Sequence, residues 1–366
     1  MKIGIITDTS TSNYNNMYPH LRESQVWMKK LVEEGHELFL LGPYFSNAMW
    51  KKFHGGMKDK FQEHFQDRVG VKPTLENDEV KIDLLMVVGF PWIHAFNYAG
   101  IDLIKKHAAK VENIVWVVID YEMYSPGKSL LYDILPIQHH EIIRKIKCVI
   151  TTDPTLTSGV DKPHHYMPHL YDPSYEIKIK PKSERTLLSR FCGPIGFRKS
   201  ISDFLPELSK VGVESGLRSE FWGEDYAKKY RDSQFNFEGK FFDSVDVFAK
   251  RVFLPYNEYL KFMSDCVTTF HDSYPPTWLD KKSSMALWYS GKINDALYAG
   301  VDPLTTKFIN SDLVDLLGLT EWNLRFLNET TDVTYESIVK LHRFQMNEKF
   351  GIDTWYPKLK EWLFNG

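Results

Sequence analysis

The chain has 366 residues, with 45 Lys plus Arg against 48 Asp plus Glu, for a formal net charge of −3. Apolar residues at 43% and aromatic residues at 14% exclude a disordered or fibrous chain, and the length fits two domains with a core each. The slightly acidic balance excludes a generic basic nucleic-acid binder, so any contact with nucleic acid must rest on a local patch.

In chain order, Lys2–Thr7 reads as a first strand, and the spacing of Val26, Met28, Leu31 and Val32 predicts a helix over Glu23–Glu34 stopped by Gly35. Glu37–Leu41 is a second strand. Ile82–Val88 and Ile114–Ile119 are near-continuous apolar runs of strand length, with a helix at Ile101–Lys110 between them. Strands buried on both faces read this way, which points to a parallel sheet covered by helices. A basic, Pro-containing stretch at Lys178–Lys182 is expected to be a linker. Beyond it the alternation resumes: strands at Leu187–Phe191, Ser219–Trp222 and Cys266–Phe270, helices at Ser202–Lys210, Val252–Asp265 and Gly291–Ala299, and an aromatic amphipathic helix at Thr354–Phe364. The expected architecture is α/β, two Rossmann-like domains facing a cleft, with a C-terminal helix crossing back to the first domain.

Cys148, Cys192 and Cys266 are too widely spaced for a metal or disulfide framework, as expected in a reducing compartment. The longest apolar run, Leu84–Ile93, is too short for a bilayer, and the opening residues do not read as a signal peptide. The expectation is a cytoplasmic protein with no membrane partner.

Asp120 directly follows the strand Ile114–Ile119. Ligands of open α/β sheets bind beyond the carboxyl ends of strands, so a carboxylate there can act as a general base or, alternatively, brace the loop. The segment Phe191–Ser200 has a strand followed by Gly193, Gly196 and Arg198. Glycine allows close backbone approach, and arginine suits a diphosphate, although an ordinary βα loop reads the same way. Lys292 and Asp295 are three apart, so on a helix they share a face. A cation there can hold phosphates while the carboxylate accepts hydrogen bonds from a ribose; a plain ion pair is the other reading. His139-His140 and His164-His165 show no metal pattern and are expected to pack or face solvent.

These pieces resemble the phage β-glucosyltransferase family that glucosylates 5-hydroxymethylcytosine in duplex DNA. The opening MKIGIIT, Tyr18-Pro19 with Glu23 ahead of a helix, and EEGHELFLL are similar to that family's first βαβ unit. DLLMVVGF and NIVWVVID resemble its later strands; SEFWGED, FEGK and Leu254-Pro255-Tyr256-Asn257 resemble its uridine-binding stretches. The resemblance implies a GT-B-type glycosyltransferase with an acceptor (DNA) domain over 1–175, a UDP-sugar domain over 185–345 and the crossing helix over 346–366. It implies Asp120 as the catalytic base, Tyr121 and Glu122 on the acceptor side, and Tyr18, Gly193, Arg198, Gly223, Glu224, Leu254, Tyr256, Lys292 and Asp295 around the donor. One arginine stands where the family offers two, and no carboxylate aligns near Pro168–Tyr171. The sugar is therefore glucose or a pentose such as arabinose.

The implied reaction is an inverting transfer from a UDP-sugar to a modified cytosine in double-stranded DNA. A divalent cation, Mg2+ or Mn2+, would assist, and the enzyme would be a monomer in the host cytoplasm during phage infection. The target base would have to flip out of the duplex. Basic residues expected to meet DNA are Lys51, Lys52, Lys58, Lys60 and Arg68 in one stretch and Arg144, Lys145 and Lys147 in another. A polysaccharide or lipid acceptor, and a nucleotide-sugar-binding module without activity, are the competing readings.

Overall fold

The computed structural model describes residues 1–7, 17–41, 69–74, 79–88, 99–118, 140–152, 162–192, 218–222, 245–248, 256–271, 291–305 and 330–365. Two compact units emerge: 1–170 together with 350–366, and 171–349.

Among the described residues the first unit holds seven strands: β1 (Lys2–Thr7), β2 (Glu37–Leu40), β3 (Lys72–Pro73), β4 (Leu84–Val88), β5 (Ile114–Val118), β6 (Ile146–Thr151) and β7 (His164–Tyr166). Their order is β3-β2-β1-β4-β5-β6-β7, and every neighbouring pair is parallel. Helices α1 (Met17–Glu33), α2 (Ala99–Ala108) and α3 (His140–Lys145) serve as crossovers. Burial explains the composition: Ile3, Ile5, Ile6 and all of Leu84–Val88 are inaccessible, so both sheet faces are covered. At Gly4 a Cβ would lie 2.6 Å from Ile82 Cδ1 and Leu41 Cδ1, so side chains close over this position.

Helix α1 begins at Met17 rather than at Glu23 as the periodicity predicts. Pro19 is tolerated because N–H groups in the first turn have no intrahelical acceptor anyway. The helix ends as expected at Gly35, whose φ is +87°. Gly35 N donates to Val32 O and His36 N to Leu31 O, a Schellman closure.

The second unit contains β8 (Thr186–Cys192), β9 (Arg218–Trp222), β10 (Val245–Phe248), β11 (Cys266–His271) and β12 (Asp302–Thr305) in the all-parallel order β10-β9-β8-β11-β12. Helix α4 (Tyr256–Ser264) leads into β11, and α5 (Gly291–Tyr298) into β12. Gly300, at φ +67°, closes α5 by the same hydrogen-bond pattern that closes α1, with Gly300 N to Leu297 O and Val301 N to Ala296 O. Helix α6 (Asp332–Phe350) buries Tyr335 and Val339 against Ile179 and Val267.

The stretch expected to be a linker is instead packed. Ile179 belongs to that core, Ile177 N donates to Tyr298 O, and Lys182 Nζ caps Thr330 O at 3.0 Å. Its lysines mark a basic surface, but Ile179 anchors it.

After α6 the chain passes Gly351 into α7 (Ile352–Lys360), which with 361–365 belongs to the first unit. Asp353 pairs with Lys30 at 3.0 Å and Lys360 with Glu34 at 2.9 Å, while His165 stacks on Trp362 and His36 on Phe364. His165 thus packs, as expected for that histidine pair.

Candidate functional site

In both sheets the chain runs outward from the first strand on one side, then returns to the other. The reversal falls between β1 and β4 in the first unit and between β8 and β11 in the second. Ligands of open parallel sheets bind at the carboxyl ends of strands beside such a reversal.

In the second unit that edge can be traced from the connections. Helix α4 ends one residue before β11, and α5 ends shortly before β12. Both helices therefore run antiparallel to the strands, and their first residues stand at the carboxyl edge. Tyr256 opens α4, and Lys292 lies in the first turn of α5. Tyr256 Oη donates to Asp295 Oδ1 at 2.8 Å. Tyr256 is 1% exposed and Asp295 2%. A carboxylate this buried needs hydrogen bonds. Lys292 is half-buried. The structure thus joins two of the expected donor residues, Tyr256 and Asp295, directly, with Lys292 one turn away.

A tyrosine cluster braces this pair. Tyr175 meets Tyr256 edge-on at 6.4 Å, and Tyr298 lies 5.6 Å from Tyr175 and stacks on Tyr171 at 4.8 Å. Tyr298 Oη accepts from Asp172 N at 2.9 Å, and Tyr171 Oη donates to Glu176 Oε1 at 2.7 Å. Burial, with nearby tyrosine and carboxylate groups, drives the Tyr171 and Tyr298 hydroxyls far above the ordinary phenol range, so both stay protonated donors or acceptors. Arg343 fixes the far end of α5: its guanidinium donates to Leu297 O, Tyr298 O and Ile177 O. Sequence patterning does not single out Arg343, because its role is visible only once α6 crosses the end of α5.

The other expected residues fare differently. Tyr18 lies in the first turn of α1. Asp120, Tyr121, Glu122, Gly193, Arg198, Gly223, Glu224 and Leu254 lie outside the described residues, as do Lys51, Lys52, Lys58, Lys60 and Arg68. The strand ends they follow are described: β5 stops at Val118, β8 at Cys192 and β9 at Trp222.

The second basic stretch needs correction. Lys145 Nζ donates to Ala108 O at 2.8 Å and Val111 O at 3.1 Å, so it caps the end of α2. Arg144 and Lys147 flank the start of β6, the amino edge of the sheet. Ligands at the reversal point would be one strand length away, about 20 Å for six residues at about 3.3 Å each. The reason is directional: a crossover helix ends where the next strand begins, so its C-terminal lysines gather at the edge opposite the ligand side.

Among the described residues no group of three or more His, Cys, Asp or Glu could hold a metal ion. Cys148 and Cys266 are buried thiols, pushed by desolvation up to about 11 and about 12. Among the described residues no helix is long and apolar enough to cross a membrane.

No protein-family model and no curated protein sequence matches the chain. Solved structures do. An alpha-glucosyltransferase in complex with UDP and a 13-mer DNA containing a HMU base is similar with a TM-score of 0.64 and 13% identity, over 99% of both chains. An alpha-glucosyltransferase in complex with UDP-glucose and DNA containing an abasic site is similar with a TM-score of 0.63 and 12% identity, over 98% of both chains. The chain therefore has the GT-B-type glycosyltransferase fold of two Rossmann-like units. The sequence points to β-glucosyltransferases of phage; the similar structures carry the alpha name, and at this identity they define the fold rather than the family.

Proposed function

We propose that this protein is a UDP-sugar-dependent glycosyltransferase whose acceptor is the hydroxyl of a modified cytosine, 5-hydroxymethylcytosine or a close analogue, in duplex DNA. The observation that carries the reading is the start of α5, where Lys292 and the Tyr256-bound Asp295 stand at the ligand edge of the second sheet. Similarity of fold to structures that hold UDP, UDP-glucose and DNA supports the donor and the acceptor class.

In this reading Gly193, Arg198 and Lys292 meet the diphosphate and Asp295 the ribose. Gly223, Glu224 and Leu254 line the uridine, and Tyr18 is a further donor-binding residue. Asp120 accepts the hydroxyl proton as the acceptor oxygen bonds to the anomeric carbon, while the bond from that carbon to UDP breaks and UDP leaves. Tyr121 and Glu122 orient the flipped base. A divalent cation would neutralise the leaving diphosphate, but the described residues offer it no cluster of ligands and no step depends on it.

The test is mass spectrometry of nucleosides from hydroxymethylcytosine DNA incubated with a panel of UDP-sugars including glucose and arabinose. A mass gain of one hexose or pentose on the modified cytosine is expected. Its absence, together with transfer to a glycan or lipid, would replace the DNA acceptor. The anomeric configuration decides the mechanism. Displacement from an α-linked UDP-glucose gives a β product. An α product, as the name of the similar enzymes suggests, means retention and removes Asp120 as the base of a single displacement.

A further inference from the structure

We infer that Tyr256 is a positioning residue for nucleotide recognition, acting through Asp295 rather than by touching the ligand itself; this rests on the donor site proposed above. The sequence resemblance puts Tyr256 in a stretch that contacts the uracil. The Tyr256 hydroxyl, however, is committed to Asp295 Oδ1 at 2.8 Å.

The bond links two helix starts that no local sequence feature connects, 39 residues apart. A carboxylate can rotate about its terminal torsion, which is broad and roughly two-fold. Fixing one oxygen to a rigid phenol leaves one orientation for the other, on the same helix as Lys292 and one turn further in. The phenol is itself fixed: Tyr175 packs on its ring edge-on, Tyr259 of the same helix stacks at 6.2 Å, and Tyr175 in turn contacts Tyr298 of α5. Preorganisation of this kind cuts the ordering cost of binding only for a ligand that uses the oriented acceptor, so it acts as selectivity. A ribose hydroxyl finds its acceptor already oriented, while a ligand lacking that hydroxyl gains nothing.

The experiment compares UDP, 2′-deoxy-UDP, 3′-deoxy-UDP and inorganic diphosphate by calorimetry on the full chain. The wild type, Tyr256→Phe, Asp295→Asn and the double variant are each titrated. The wild type should favour UDP over at least one deoxy analogue. In Tyr256→Phe that preference should fall about five- to tenfold while diphosphate affinity stays within twofold. The double variant should match Asp295→Asn alone, because a residue that works through another adds nothing once the other is gone. A merely structural role would weaken all four ligands alike.

Additive losses in the double variant, or an unchanged preference in Tyr256→Phe beside a lost one in Asp295→Asn, would overturn the inference and leave the donor site standing. A wild type that binds no UDP, or an Asp295→Asn variant with the preference intact, would overturn both. Should Tyr256→Phe fold poorly, Tyr175→Leu serves as the second variant. It loosens the same ring without removing the hydroxyl, and a fall in ribose preference with diphosphate binding retained is expected; no fall overturns the inference.

Discussion

In the first unit the central strands are apolar from end to end, with Leu84–Val88 and Ile114–Val117 buried on both faces. In the second, strands β8, β11 and β12 bury Ser189, Arg190, Thr268, Thr269 and Asp302. Arg190 is neutralised by Glu220 at 3.1 Å and donates to Phe262 O, and Arg185 donates to Lys180 O, Ser264 O, Cys266 O and Gly300 O. The two sheets share one strand order through their first five strands, yet they are held by different physics. Apolar burial is non-directional and forgives substitution; a buried polar network holds one arrangement and fails when a partner is removed.

The sharpest test of the contrast is catalytic. If the first unit supplies chemistry and the second binds the donor, Asp120→Ala should lower kcat by about 10²–10⁴-fold with donor KM within a few fold. Lys292→Ala should instead raise donor KM. Steady-state kinetics with UDP-sugar and hydroxymethylcytosine DNA would show it, and a variant at position 120 retaining more than about a tenth of the rate would end the assignment.

Next in size, Arg185→Met should cost about 3–4 kcal/mol by urea denaturation, since four carbonyls lose a donor at once. A loss below about 1 kcal/mol would mean that water or neighbouring donors replace the guanidinium, and the polar core is less demanding than its geometry implies.

Acid separates the units in a third way. Burial, aided by Lys106 and Lys110, pushes the His107 imidazole of α2 down to about 4, and burial also lowers His36 and His165. As pH falls the unfolded chain takes up these protons first. The stabilisation is complete above the ordinary histidine value of about 6.5 and is lost between there and about 4. Native-state hydrogen exchange should show the first unit loosening over that window by about 1–3 kcal/mol, and His107→Gln should flatten the dependence.

The smallest effect belongs to the amino edge of the first sheet. Arg144→Glu with Lys147→Glu should change DNA KM and its salt slope by less than about twofold, because phosphate contacts carry that slope and this edge is not the ligand side. A clear change would place DNA on the opposite edge.

Much of the fold was legible because it rests on local pattern. The apolar runs at β1, β4 and β5, and the stops at Gly35 and Gly300, follow from burial on two faces and from backbone that only glycine adopts readily. Strands β6, β7 and β12 were not foreseen: Ile146–Thr151 carries a lysine, His164–Tyr166 is short, and Asp302–Thr305 opens on Asp-Pro. Neighbours in the sheet, rather than their own propensity, recruit β7 and β12, whereas β6 is rich in Ile, Val and Thr and only its lysine interrupts the run. Helix α6 escaped because its apolar residues do not form one stripe: Val333, Leu341 and Phe344 are exposed while Tyr335, Val339 and Met346 are buried.

The sequence by itself determined the α/β class, the parallel character of the central strands and the placement of Lys292 and Asp295 on one helix. Each depends on residues within a few positions of one another. Only the tertiary structure decided that Tyr256 meets Asp295, that Lys145 is a cap and that Ile179 of the basic stretch joins a core. These are contacts between residues tens to hundreds of positions apart. Sequence spacing carries no record of them; they exist because strand order and crossover direction bring particular helix ends to particular edges of a sheet.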